Sequence, residues 1–208
     1  MPKLLHGTFE KNKVKIERAA LQLFTRKGFH GTTVREIAKK AGISMGKLYI
    51  YYDTKEDIFI DLVNHLGRKM DAIRQKDLIP LMATVDPDSL RKLAKAIGRV
   101  VSENLDYWRL MYIDVVEFRH KHFIHSYREI AGGLRNYATS LFQKTPVPFP
   151  GNVNPGFAYT TLYLQFVTYF LVENLFGAKR HLGVSDEEAV EQFVRLYTSS
   201  RKNRNAKS

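Results

Sequence analysis

Apolar residues recur every three or four positions along this chain, the period of one helical face, and predict an all-helical protein. Ile16, Ala19, Ala20, Leu23 and Phe24 mark a first helix, closed by Arg26, Lys27 and Gly28. Val34, Ile37, Ala38 and Ala41 mark a second; Thr33 with Glu36 three residues on gives it a capping box, and Gly42 its C-cap. Ser44 caps a third helix running to about Tyr52, and the two short helices across a tight turn have helix-turn-helix spacing. Thr54 and Asp57 open a fourth, which Ile58, Phe59, Leu62, Val63, Leu66, Met70 and Ile73 carry for about five turns. Pro80 and the Asp86–Pro87 pair bracket a connection, with Asp86 as the N-cap of a helix running to about Tyr107. The pattern stays helical and rich in aromatics from Trp108 to Phe142, breaks in a Pro/Gly-rich loop over residues 145–156, and resumes in a long apolar helix. Ser185 and Glu188 cap a last amphipathic helix through Val190, Phe193, Val194 and Tyr197.

This pattern divides into a flexible arm (1–9), a helix-turn-helix domain (10–53), a larger helical regulatory and dimerisation domain (54–200) and a basic tail (201–208). Charge follows the same division. Residues 1–55 hold 12 Lys/Arg against 4 Asp/Glu, the tail holds 4 against none, and the 145 residues between are neutral. A net charge of +12 concentrated in this way reads as an electrostatic footprint for nucleic acid rather than a general solubility device.

Within the helix-turn-helix, Lys47 and Lys55 each sit in the first turn of a helix, where the dipole disfavours a cation unless an anion is bound there. Leu48 and Tyr52 fall on one side of the third helix and Ile50 on the other, so Gly46, Lys47, Ile50 and Tyr51 project outward. An outward Ile suits a thymine methyl in a major groove. With Ser44–Tyr51 in the groove, Thr33, Tyr49, Tyr51 and Lys55 are expected on phosphates, and Met45, Gly46, Lys47 and Ile50 on base edges or in close backbone approach.

The stretches ERAALQLFTRKGFHGTTVREIAKK and AGISMGKLYIYYDTKEDIF resemble the DNA-binding domain of the TetR family of transcriptional regulators over Ile16 to Leu62. Thr33, Ser44, Gly46, Leu48, Tyr49, Tyr52 and Lys55 occupy positions of the family pattern, while Met45 and Ile50 depart from it and bear on the DNA sequence read. The resemblance implies repression by occlusion of a nearly palindromic double-stranded operator, a fourth helix joining the two domains, and a homodimer built on the last two long helices. Position and apolarity point there to Tyr169, Phe170, Phe193 and Tyr197.

The aromatics of the second half suit a pocket for an apolar or aromatic effector, for which Trp108, Met111, Tyr112, Phe123, Tyr127, Tyr163 and Phe166 are the candidates. The alternative is a dimeric DNA-binding regulator with no small-molecule ligand, controlled by a protein partner. His120, His122 and His125 lie near Asp114 and Glu117, but neighbouring Arg119 and Lys121 give the group the character of a solvated helix junction, and no metal or other cofactor is expected. Thr160, Thr161, Gln165 and Thr168 interrupt the apolar run before Glu173, which favours a buried or interface helix over a membrane span. There is no Cys, phosphate-binding Gly-rich loop or nucleophile elbow, so no enzyme is expected; the chain starts without an apolar leader, and the expected compartment is the cytoplasm.

Overall fold

The computed structural model describes residues 3–144 and 153–198, and among them there are helices and no strand. The helices are α1 (Lys3–Lys27), α2 (Val34–Ala41), α3 (Met45–Tyr49), α4 (Lys55–Ile73), α5 (Pro87–Glu103), α6 (Leu105–Glu117), α7 (Ile124–Lys144), α8 (Pro155–Asn174) and α9 (Asp186–Thr198), with a π turn at Arg74–Leu78 and a 3₁₀ turn at Ile79–Met82 between α4 and α5. Of the described residues, those up to 69 and 106–125 form one compact unit, and those at 70–105 and from 126 onward form a second. The expected loop at 145–156 lies outside the described residues except for its last four, and the tail lies outside them entirely.

In the first unit, local capping behaves as the spacing predicts. The Thr33 hydroxyl accepts the Glu36 N–H at 3.2 Å while Glu36 accepts the Thr33 N–H at 3.0 Å. Gly42 turns left-handed with φ 69°, and its N–H reaches back to the carbonyls of Ala38 and Lys39. Ser44 Oγ accepts from the Lys47 N–H, and Thr54 and Asp57 exchange bonds at the start of α4. The core between these helices is a knot of rings. Phe59 lies fully buried with its centroid 5.7 Å from Phe24, 5.7 Å from Phe29 and 4.7 Å from Phe118.

Three boundaries differ from the pattern. Helix α1 starts at Lys3, so the described part of the expected arm is helical. Phe9 stacks on Tyr51 at 4.4 Å and buried Asn12 donates to the Tyr51 hydroxyl at 3.0 Å, contacts that a window read along α1 cannot contain. The helix expected to reach Tyr107 stops at Glu103, because Asn104 leaves the helical region at φ −127° and its amide bonds back to the Val100 carbonyl. The aromatic stretch from Trp108 is likewise broken over residues 118–123, where Arg119 and His120 take positive φ. Asp114 compensates the turn by accepting the N–H groups of His122 and Phe123.

In the second unit, α8 packs on α5 and α9 follows it. Gly98 of α5 is required at that crossing, since a Cβ there would stand 2.8 Å from the Phe170 ring. Arg91 of α5 holds the Glu191 carboxylate of α9 through two nitrogens. Helix α8 buries Tyr159, Leu162, Tyr163, Phe166, Tyr169 and Phe170 and leaves Phe157 and Leu164 exposed. No described helix is long and apolar enough to cross a membrane.

Candidate nucleic-acid interface

Helix α3 is five residues long, and its orientation follows from two anchors. Leu48 is 1% and Tyr52 5% exposed, which turns Ile50 (71%) and Tyr49 (51%) outward. The Tyr52 hydroxyl donates to Glu17 and Asp61, which fixes the end of the unit against α1 and α4. Gly46 has open space around its missing side chain, Met45 is half-buried, and Lys47 is exposed with no ion pair among the described residues. Gly46, Lys47, Tyr49 and Ile50 are thus accessible, as are the caps Thr33 and Ser44. Arg35, Lys39 and Lys40 of α2 are also exposed and without an ion pair among the described residues. A short helix bearing an apolar tip, a gap and a cation, with further cations beside it, is suited to a groove edged by phosphates.

Two of the nine residues expected at this surface have other partners. Tyr51 is half-buried under Phe9 and Asn12. Lys55 points inward: its ammonium donates to the carbonyls of Phe29 and Thr32, each at 2.7 Å, and lies 4.1 Å from the centre of the Phe29 ring. Burial lowers its pKa. Folding does explain a cation at this helix start, because it satisfies two carbonyls of the α1–α2 turn.

The same turn is held from the other side by Glu117, which sequence reasoning had grouped with the histidines. Its carboxylate accepts the N–H of Phe29 at 2.9 Å, the N–H of His30 at 2.6 Å and faces His30 Nδ1 at 2.6 Å. Burial raises its pKa, but these bonds outweigh that effect and hold it below the ordinary value. Gly28 makes room for the clamp: it turns at φ 78°, and a Cβ there would lie 2.5 Å from Glu117 Oε1. Glu36, in the capping box, is drawn down to about 2, first by its bond from Lys27 and then by those from Thr33.

The histidines do not form one group. The His122 side chain is only 8% exposed, less solvated than expected, with Nδ1 2.7 Å from Asp114 and Nε2 3.1 Å from Glu56, while Lys121 donates to the same Glu56. His120 and His125 are exposed, and no set of three or more metal-ligating residues gathers among the described residues. The seven effector candidates divide as well. Trp108, Met111, Tyr112 and Phe123 belong to the first unit, Tyr127, Tyr163 and Phe166 to the second. Phe123 packs on Tyr107, and Phe166 on Phe193. The second unit has a cavity of about 400 Å³ lined by Arg74, Ile79, Ile130, Leu134 and Tyr137 among others, none of them among the seven. Tyr163 is buried in α8. A π turn supplies Arg74 and Gln75, and helical periodicity carries no signal for such a turn. Of the residues expected at a dimer interface, Tyr169 and Phe170 are buried within the unit, Tyr169 bonding Asp186 and Tyr197 bonding Gln165. The exposed apolar residues of α8 and α9 are Phe157, Leu164 and Leu196.

Residues 16–62 match the family described as bacterial regulatory proteins, tetR family. The HTH-type transcriptional regulator YuxN of Bacillus subtilis is 46% identical over 56 residues, 27% of this chain and 19% of that protein. The negative transcriptional regulator IcaR of Staphylococcus epidermidis is 45% identical over 47 residues, 23% of this chain and 25% of that protein. Matches to the leading curated relatives span about a fifth to a third of their length. The solved structure of AibR, in complex with isovaleryl coenzyme A and operator DNA, superposes with a TM-score of 0.57 at 17% identity, covering 89% of this chain and 97% of that one. Residues 16–62 thus match bacterial regulatory proteins of the tetR family in sequence, and the described residues share the helical fold of AibR.

Proposed function

We propose that the protein is a cytoplasmic transcriptional repressor that binds a nearly palindromic operator as a homodimer and leaves it when a small amphipathic effector binds. The observation that carries the reading is the α3 surface: Lys47, Tyr49 and Ile50 exposed around an open Gly46, on a helix held by buried Leu48 and Tyr52. Met45, Gly46, Lys47 and Ile50 face the bases, and Thr33, Ser44 and Tyr49 the phosphates. Tyr51 and Lys55 serve as struts behind them. The relation to IcaR, a negative regulator, supports repression. Phe157, Leu164 and Leu196 are the surface offered to the second protomer, since Tyr169 and Phe170 are occupied within the chain.

The effector site is the cavity of about 400 Å³, which lies within the range of small-molecule pockets. Isoleucines 79 and 130, Leu134 and the Tyr137 ring supply its apolar wall, and Arg74 with its partner Asp71 a polar end. AibR was solved with an acyl-coenzyme A, which supports effector control in this fold. Helix α4 carries Lys55 at one end and Asp71 near the other. An effector that favours one arrangement of α4 weakens operator binding by the factor by which operator weakens effector binding.

Lys47→Ala tests the interface. Loss of a base contact is expected to weaken operator binding by about 1–3 kcal/mol, roughly 5- to 150-fold, and to relax the preference at one position of each half-site. Fluorescence anisotropy on single-position operator variants reads both effects. A uniform loss across all variants would place Lys47 on a phosphate instead.

A further inference from the structure

The cavity of about 400 Å³ has walls of two kinds. Leu134 is 5% exposed, and Ile79, Ile130 and Tyr137 are half-buried, so its interior is apolar with one aromatic ring. Asp71 and Glu129 are exposed and belong to its mouth. Arg74 is the one cation among the described lining residues, and it is already engaged. Its side chain is 13% exposed, and Nη1 lies 2.6 Å from Asp71 Oδ1. Arg128 and Arg135 of α7 stand outside the wall.

The lining therefore carries a formal charge of −1, from Asp71 and Glu129 against Arg74, in a chain whose net charge is +12. The protein as a whole draws anions, but an anion arriving at this mouth meets carboxylates. A cation meets the reverse. The Tyr137 ring adds to that preference, because an aromatic face attracts ammonium and guanidinium groups.

We infer that the effector taken by this cavity is an organic cation, with an ammonium or guanidinium head at the mouth beside Asp71 and Glu129 and an apolar body among Ile79, Ile130, Leu134 and Tyr137. This rests on the reading of the cavity as the effector site. It sets this chain apart from AibR, since the phosphates of an acyl-coenzyme A would face the two carboxylates.

The test is isothermal titration of the full-length protein at neutral pH with octylammonium, octanoate and 1-octanol, which share an apolar body and differ in head group. Attraction of one head and repulsion of the other, each on the scale of an exposed ion pair, should make octylammonium bind roughly tenfold more tightly than octanoate, with octanol between them. Added salt should narrow that gap. Glu129→Gln should bring octylammonium and octanol closer together, and Asp71→Asn, which removes the partner of Arg74, should move the preference toward octanoate. Gly133→Trp identifies the site. Gly133 lines the cavity and a Cβ there meets nothing within 4 Å, so a large side chain can block the space without displacing packing, and all three probes should lose binding. Circular dichroism checks that the variants fold. Octanoate bound as tightly as octylammonium, or more so, overturns the inference and leaves the cavity reading intact. Binding by none of the three, or binding that survives Gly133→Trp, removes the cavity reading and the inference with it.

Discussion

Phe59→Ala is expected to lower unfolding stability by about 3–5 kcal/mol, because it removes the central ring of the first unit and leaves a cavity there. Phe59 is fully buried, and its ring meets Phe24 from α1, Phe29 from the turn after it, Phe118 after α6 and, at 5.5 Å, His122. Three chain segments besides α4 thus lose packing from one substitution. Since α3 is only five residues long and keeps its shape through Leu48 and Tyr52 against the same core, DNA binding should fail with it. Denaturant unfolding followed by helical circular dichroism measures the loss. A loss below about 1 kcal/mol, the scale of a tolerated volume-conserving swap, would mean that the ring cluster does not hold the unit together.

Glu117→Ala is expected to cost about 2–3 kcal/mol, since it strips the N–H groups of Phe29 and His30 of their charged acceptor. Glu117→Gln keeps an uncharged acceptor and should cost about half as much. The carboxylate also carries a pH signature. Its folded pKa lies below its ordinary value of 4.5, so the folded state binds its proton less readily than the unfolded chain does. The stabilisation is complete above that ordinary value and disappears as pH falls through the folded pKa. The parent should therefore lose stability on acidification more steeply than Glu117→Gln, in unfolding titrations run from neutral pH downward. Parallel acid limbs would show that Glu117 does not clamp the turn.

These two residues also mark the limit of what was legible in the sequence. Thr33, Ser44, Thr54 and Asp86 announce their helices because each partner lies two or three residues away, and spacing alone reveals the bond. Ile50 was legible as an outward residue because the helical angle from Leu48 and Tyr52 fixes it. Lys55, Asn12 and Glu117 were not, for their partners stand 23 and 26, 39, and 87 and 88 residues away. The sequence places a cation at a helix start, but only the fold shows that two carbonyls of the α1–α2 turn wait for it. The cavity of the second unit was not legible for a related reason. Aromatic content marks bulk rather than a cavity: Phe123, Tyr163 and Phe166 are buried, while Tyr112 and Tyr127 are exposed. The cavity draws instead on Arg74, Ile79 and Tyr137, brought together by a π turn and α7. The break at Asn104 left no Pro or Gly to announce it, only an amide that bonds its own helix.

The most direct test of the account is selection of bound duplexes from a random DNA pool by the intact protein. A dimer presenting two α3 helices should enrich a two-fold symmetric sequence whose half-sites lie one or more turns of ~34 Å apart, with the bases facing Lys47 and Ile50 the most constrained. Binding that enriches no sequence, and that simply weakens steeply as salt rises, would contradict it: the basic first 55 residues would then be holding phosphate without reading bases.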